Sequence, residues 1–102
     1  MMNKERYHKS KIYSIICKED NAKIYIGSTT DTLSAKFSKH KFESKQENKK
    51  HILLYQTVNG NWGNYYIELI EDYKSDSIEQ LKMRENQLKR QYDLMKAKKN
   101  IV

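Results

Sequence analysis

Position 85 interrupts a pattern. Ile78, Leu81, Leu88, Tyr92 and Met95 recur at steps of three and four, the spacing of one stripe along a helix, and the position that completes the series is Glu85. A carboxylate is thereby set into a face that should turn toward a core, where an unpaired charge is too costly to bury. A second set is Lys36 and His40, four residues apart, so an ammonium and an imidazole can point into one site. Imidazole changes charge near neutral pH, which suits His40 to proton transfer or to contact with a phosphate. The third set is phenolic: Tyr13 and Tyr25 each sit in a run rich in β-branched and aromatic residues.

These side chains need elements to hold them. Residues 11–17 and 23–27 flank a polar segment and predict a β-hairpin. Tyr13 and Tyr25 share a face of that hairpin only if an odd-length loop or a bulge joins the strands, and the hairpin is predicted to place them on one face. Gly27-Ser28-Thr29-Thr30-Asp31 supplies turn and capping residues, and Leu33, Lys36, Phe37 and His40 then follow on one stripe, which predicts a helix over 32–43. Between 44 and 64 the periodicity fades; His51 to Tyr55 suggests a short helix before an Asn59-Gly60-Asn61 turn. Tyr65 to Tyr73 reads as a third strand. Two overlapping capping boxes, Asp76 with Glu79 and Ser77 with Gln80, open the helix that carries Glu85. Trp62, Tyr65 and Tyr66 are expected to complete a small core rather than stack on a ligand. The order strand, strand, helix, strand, helix implies an α/β fold, a small three-stranded antiparallel sheet flanked by helices, in one domain spanning residues 1–102.

The charge narrows the partner. The chain carries 20 Lys+Arg against 13 Asp+Glu, a net +7. Residues 1–51 hold 12 basic and 6 acidic side chains, so the excess lies almost wholly in the first half. A polyanion is the natural partner for so basic a small domain. The lone Cys17 excludes an internal disulfide and a multi-cysteine zinc site; it ends an apolar run, where a buried structural thiol in a reducing, intracellular setting is expected. No stretch approaches the length of a membrane span.

Lys11-Ile12-Tyr13 followed by Tyr25-Ile26-Gly27 resembles the paired signature of the GIY-YIG nucleases, with Lys11 in place of the first glycine. Lys36 falls at that family's usual arginine position, His40 one turn later, Glu85 at its metal-binding glutamate and Asn100 at its C-terminal asparagine. The resemblance covers residues 11–100. It implies a metal-dependent DNA endonuclease in which Glu85 holds Mg²⁺, or Mn²⁺ in its place, against the scissile phosphate. It further implies that Tyr13 orients or deprotonates the attacking water, its phenol aided by Lys36 or the metal, and that Tyr25 contacts the water or the phosphate. Gly27 and Asn100 are expected in support, Asn100 by fastening the tail. A compact ammonium at position 36 cannot reproduce the bidentate grip of an arginine, so the alternative is a catalytically impaired DNA-binding module with the same fold. DNA is the expected partner. With no appended DNA-reading segment, targeting would fall to the domain itself, a partner protein or a second copy.

Overall fold

A computed structural model describes the backbone of residues 7–99 and the side chains through residue 93. Strand β1 (Lys11–Cys17) is central, with β2 (Lys23–Thr29) and β3 (Tyr65–Asp72) antiparallel on either side, in the order β2-β1-β3. Every β1 residue from Ile12 to Ile16 is buried, as a strand covered on both faces requires, and this explains its nearly continuous apolar run.

The register answers the question of the two tyrosines. Asn21 takes a left-handed conformation, φ 56°, which asparagine tolerates in turns, and the Asp20 carboxylate accepts a hydrogen bond from the Ala22 amide. Beyond this turn Ile16 faces Lys23 whereas Ile15 faces Tyr25, so Ile24 is the extra residue of a bulge. Tyr13 then lies opposite Gly27. Alternate residues share a face, so Tyr13, Ile15, Tyr25 and Gly27 all point to the same side.

That side is covered by α1 (Leu33–Glu43) and α2 (Leu53–Val58). The Thr32 hydroxyl caps α1 by accepting the Ala35 amide, so the cap falls one residue beyond the turn segment expected to supply it and the helix starts at Leu33. Helix α2 begins two residues later than expected, because Ile52 is held extended after a 3-10 turn at Glu47–Lys49, and it ends where Asn59 enters the left-handed region. Tyr13, Ile15, Leu54, Tyr55, Val58 and Trp62 form the core here, with Trp62 edge-on to Phe37.

The opposite side is covered by α3 (Ile78–Lys99), whose Leu81 packs on Ile12 and Ile26, with Leu88 and Tyr92 against them. Of the second capping box one arm forms, the Gln80 amide donating to the Ser77 hydroxyl, while the Gln80 side-chain carbonyl accepts the Asp76 amide and the Asp76 carboxylate bonds His8. Arg84 grips Glu71 with two hydrogen bonds, 2.6 and 2.7 Å, and fastens α3 to β3. The apolar stripe starts one step later than its spacing suggests, since Ile78 is largely exposed, and the Met95 side chain lies outside the described residues. Cys17 is half-buried rather than enclosed, because it is the last residue of β1, next to the turn. Among the described residues no helix is long and apolar enough to cross a membrane.

Candidate active site

Strand β2 is an edge strand with a helix layer on each face, and the candidate residues gather on either side of it. Gly27 and Ser28 are neighbours in the chain, so they face opposite ways. Above Gly27 lies the Tyr13 hydroxyl. A Cβ at position 27 would stand 2.7 Å from the Tyr13 oxygen and 2.7 Å from a ring carbon of Tyr25, closer than such atoms approach, so only glycine lets both tyrosines close over the strand.

Tyr13 is fully buried, and its hydroxyl lies 2.7 Å from Nε2 of His40. His40 is the buried residue of α1, and its Nδ1 lies 2.9 Å from the Tyr55 hydroxyl, which donates in turn to the Glu43 carboxylate at 3.2 Å. Tyr25, half-buried, closes the cluster with its ring 6.1 Å from that of Tyr13 and edge-on to the imidazole. Burial strongly raises the pKa of Tyr13, and the neighbouring Tyr25 and the negative charge of Glu85 push it further up. Each of these influences opposes ionisation of the phenol. Burial, reinforced by the positive charges of Lys36 and Lys39 against a weaker pull from Glu43, lowers His40 from 6.5 to about 4, so its ring is neutral at pH 7.

Below Ser28 lies Glu85, only 6 % exposed. The Ser28 hydroxyl donates to one carboxylate oxygen at 2.6 Å, Lys82 reaches the same oxygen at 3.2 Å, and Lys89 reaches the other at 2.9 Å. Burial works to raise this pKa, but the Ser28 and Lys89 hydrogen bonds and the two ammonium charges outweigh it, and the net shift is downward. Glu85 is thus an ionised carboxylate within the apolar stripe, and the lysines on the turns before and after it provide the compensating charge.

Lys36 and His40 do not converge as fully as their spacing suggests. His40 turns into the tyrosine cluster, while Lys36 lines a cleft of about 150 Å³ with Ser28, Thr29, Lys39 and Lys82. Burial and the charges of Lys39 and Lys82 lower the Lys36 pKa against upward pulls from Glu43 and from Asp31, which also lines the cleft. A second cleft, about 260 Å³, is lined by Lys23, Tyr25, Lys89 and Tyr92 farther along the same strand. Lys11, at the position of the missing first glycine, spans back to the Asp31 carbonyl at 2.7 Å and steadies the turn before α1. Asn100 lies outside the described residues.

The structure thus brings together Tyr13, Tyr25, Gly27 and His40, sets Glu85 across the strand from them and puts Lys36 at the mouth between. Sequence reasoning missed Ser28, Lys82, Lys89, Tyr55 and Glu43. The lysines were readable as positions i−3 and i+4 of Glu85, and Ser28 as the alternate of Gly27, whereas no pattern marked Tyr55. Among the described residues no three His, Cys, Asp or Glu side chains are grouped to hold an ion. A closed protein cage does not fit; the ionised Glu85 carboxylate alone could give Mg²⁺ an oxygen, the ion keeping several waters and sharing its coordination with a substrate phosphate, and the two ammonium groups now on that carboxylate would have to leave it. Lys82 and Lys89 are about half exposed and free to swing away from such an ion.

The family model described as the GIY-YIG catalytic domain matches residues 9–100. No curated protein and no solved structure matches the chain.

Proposed function

This chain belongs to the GIY-YIG catalytic-domain family, a nuclease family, and from that premise we propose that it is a metal-dependent endonuclease that hydrolyses phosphodiester bonds in DNA. The observation that carries the proposal is the pairing of an ionised, buried carboxylate, Glu85, with a protonated, buried phenol, Tyr13, on the two faces of one edge strand. A phosphate at the open rim of β2 is in reach of both faces, between clefts lined by Lys36, Lys39 and Lys82 on one side and Lys23 and Lys89 on the other.

Glu85 would hold Mg²⁺, with Ser28 orienting the carboxylate; the ion supplies charge neutralisation on the phosphate and acidifies a bound water. Lys36 holds a non-bridging phosphate oxygen by charge alone, a looser grip than a guanidinium gives. Tyr25 hydrogen-bonds the water or the phosphate from the strand rim. Tyr13 cannot act as a resident phenolate, so it works as a relay. Because the Tyr13 hydroxyl is closed off from solvent, the proton of the attacking water would reach it through the Tyr25 hydroxyl at the rim, while the Tyr13 O–H bond breaks and its proton passes to Nε2 of His40. Tyr13 ends neutral, and His40 ends as an imidazolium.

The test is cleavage of a panel of duplex, nicked and branched DNA with and without Mg²⁺. Glu85→Ala should abolish cutting and spare binding; undiminished cutting by that variant would refute the metal role. Lys36 in place of the family's arginine favours a second reading, a DNA-binding module with little chemistry, which predicts salt-dependent binding without any cleavage.

A further inference from the structure

We propose that Tyr55 and Glu43 are positioning residues for the proton-transfer step, fixing His40 as the Nδ1–H tautomer so that Nε2 is free to take the proton of Tyr13. This rests on the endonuclease function proposed above and extends it to two residues on α1 and α2.

The bond from Tyr55 to Glu43 fixes the remaining donors and acceptors. A carboxylate only accepts, so the Tyr55 hydroxyl donates to Glu43. With its hydrogen committed there, Tyr55 offers His40 a lone pair, and Nδ1 must carry the proton that fills it. Nε2 is then unprotonated, 2.7 Å from the Tyr13 hydroxyl, which donates to it. The result is an unbroken chain: Tyr13 O–H to Nε2, Nδ1–H to Tyr55 oxygen, Tyr55 O–H to Glu43. It runs from the floor of the site to a carboxylate at the half-exposed C-terminal end of α1. When Nε2 takes a proton, the imidazolium gains a polarised acceptor at Nδ1 and a negative charge beyond it, the logic of a base oriented by a third group.

The groups facing His40 are Tyr13 from β1, Tyr25 from β2, Tyr55 from α2, and Lys36, Lys39 and Glu43 on its own helix. Of these, only Glu43 is negatively charged. Its removal should therefore lower the titration of His40, where the loss of either lysine should raise it.

The experiment pairs ¹⁵N NMR of the His40 ring with single-turnover cleavage as a function of pH. Wild-type protein should show the Nδ1–H tautomer at neutral pH. Tyr55→Phe keeps the ring packing and should shift the ring to the Nε2–H form, lowering the cleavage rate by on the order of 10²-fold with DNA binding unchanged. Glu43→Gln should lower both the His40 titration and the acid limb of the rate profile, and Glu43→Asp should partly restore them. An Nε2–H ring in the wild type overturns the assignment, as does a Tyr55→Phe protein with unaltered tautomer and rate. If Tyr55→Phe fails to fold, Glu43→Gln decides the matter by the same two readouts. A wild-type protein that cuts no DNA refutes the nuclease function instead, while the ring tautomer still tests the positioning.

Discussion

Acid should destabilise this fold in large part through one buried imidazole. His40 titrates at about 4 in the folded protein against an ordinary value of 6.5, so between those limits the unfolded chain binds a proton that the folded chain refuses. Stability therefore rises with pH across that window. Above pH 6.5 both states hold a neutral ring and nothing is lost; as pH falls below it the penalty grows, and it levels off under the folded value. At about 1.36 kcal/mol for each pH unit of the gap, the full penalty is roughly 3 kcal/mol, a large share of the 5–15 kcal/mol that usually holds a domain together. Glu71 and Glu85, whose pKa values are lowered, also lose stabilisation in acid, so wild type alone does not isolate the histidine. His40→Gln does, because a glutamine amide can bond both Tyr13 and Tyr55 yet never titrates. Urea unfolding of both proteins in steps from about pH 8 to pH 4 should show the wild-type advantage shrinking by roughly 3 kcal/mol, with most of the change between pH 6.5 and 4. Parallel curves for the two proteins would show that the buried ring does not resist protonation and would remove the neutral acceptor from the proton path.

Gly27→Ala forces a methyl against the Tyr13 hydroxyl and the Tyr25 ring, so thermal melting should reveal a loss of about 1–3 kcal/mol, and an unchanged Tm would mean the tyrosines are not held over the strand. Lys36→Arg should raise the cleavage rate by restoring a bidentate grip on phosphate, measurable at saturating DNA; no gain would show that another cation already fills that place. Lys36→Ala should reduce the salt dependence of DNA binding by about one counterion in a two-salt titration, and an identical slope would place the phosphate elsewhere.

Much of the site was legible because two periodicities conflicted with chemistry. Glu85 announced itself by occupying an apolar stripe, and burial beside Ser28 is what the helix periodicity requires. The common face of Tyr13 and Tyr25 was expected from the site they would share and is what the register shows, although the one-residue bulge at Ile24 that produces it leaves little trace in residue type. The divergence of His40 from Lys36 was hidden for a different reason. Residues at i and i+4 differ by about 40° around a helix, enough to send one side chain into the sheet and the other to its rim. Tyr55 escaped notice because α2 spans only Leu53–Val58, too short to show a period, and its start depends on a 3-10 turn formed by polar residues.

A strand with no neighbour on one side is normally a hazard, for any extended chain can add to its bare amides and carbonyls. Here that vulnerable margin is bordered by Lys23, Lys36, Lys39, Lys82 and Lys89. A second copy of so basic a chain meets like charge there, while a nucleic acid backbone meets the opposite. So basic a margin would discourage self-association along β2 and stay open to a polyanion.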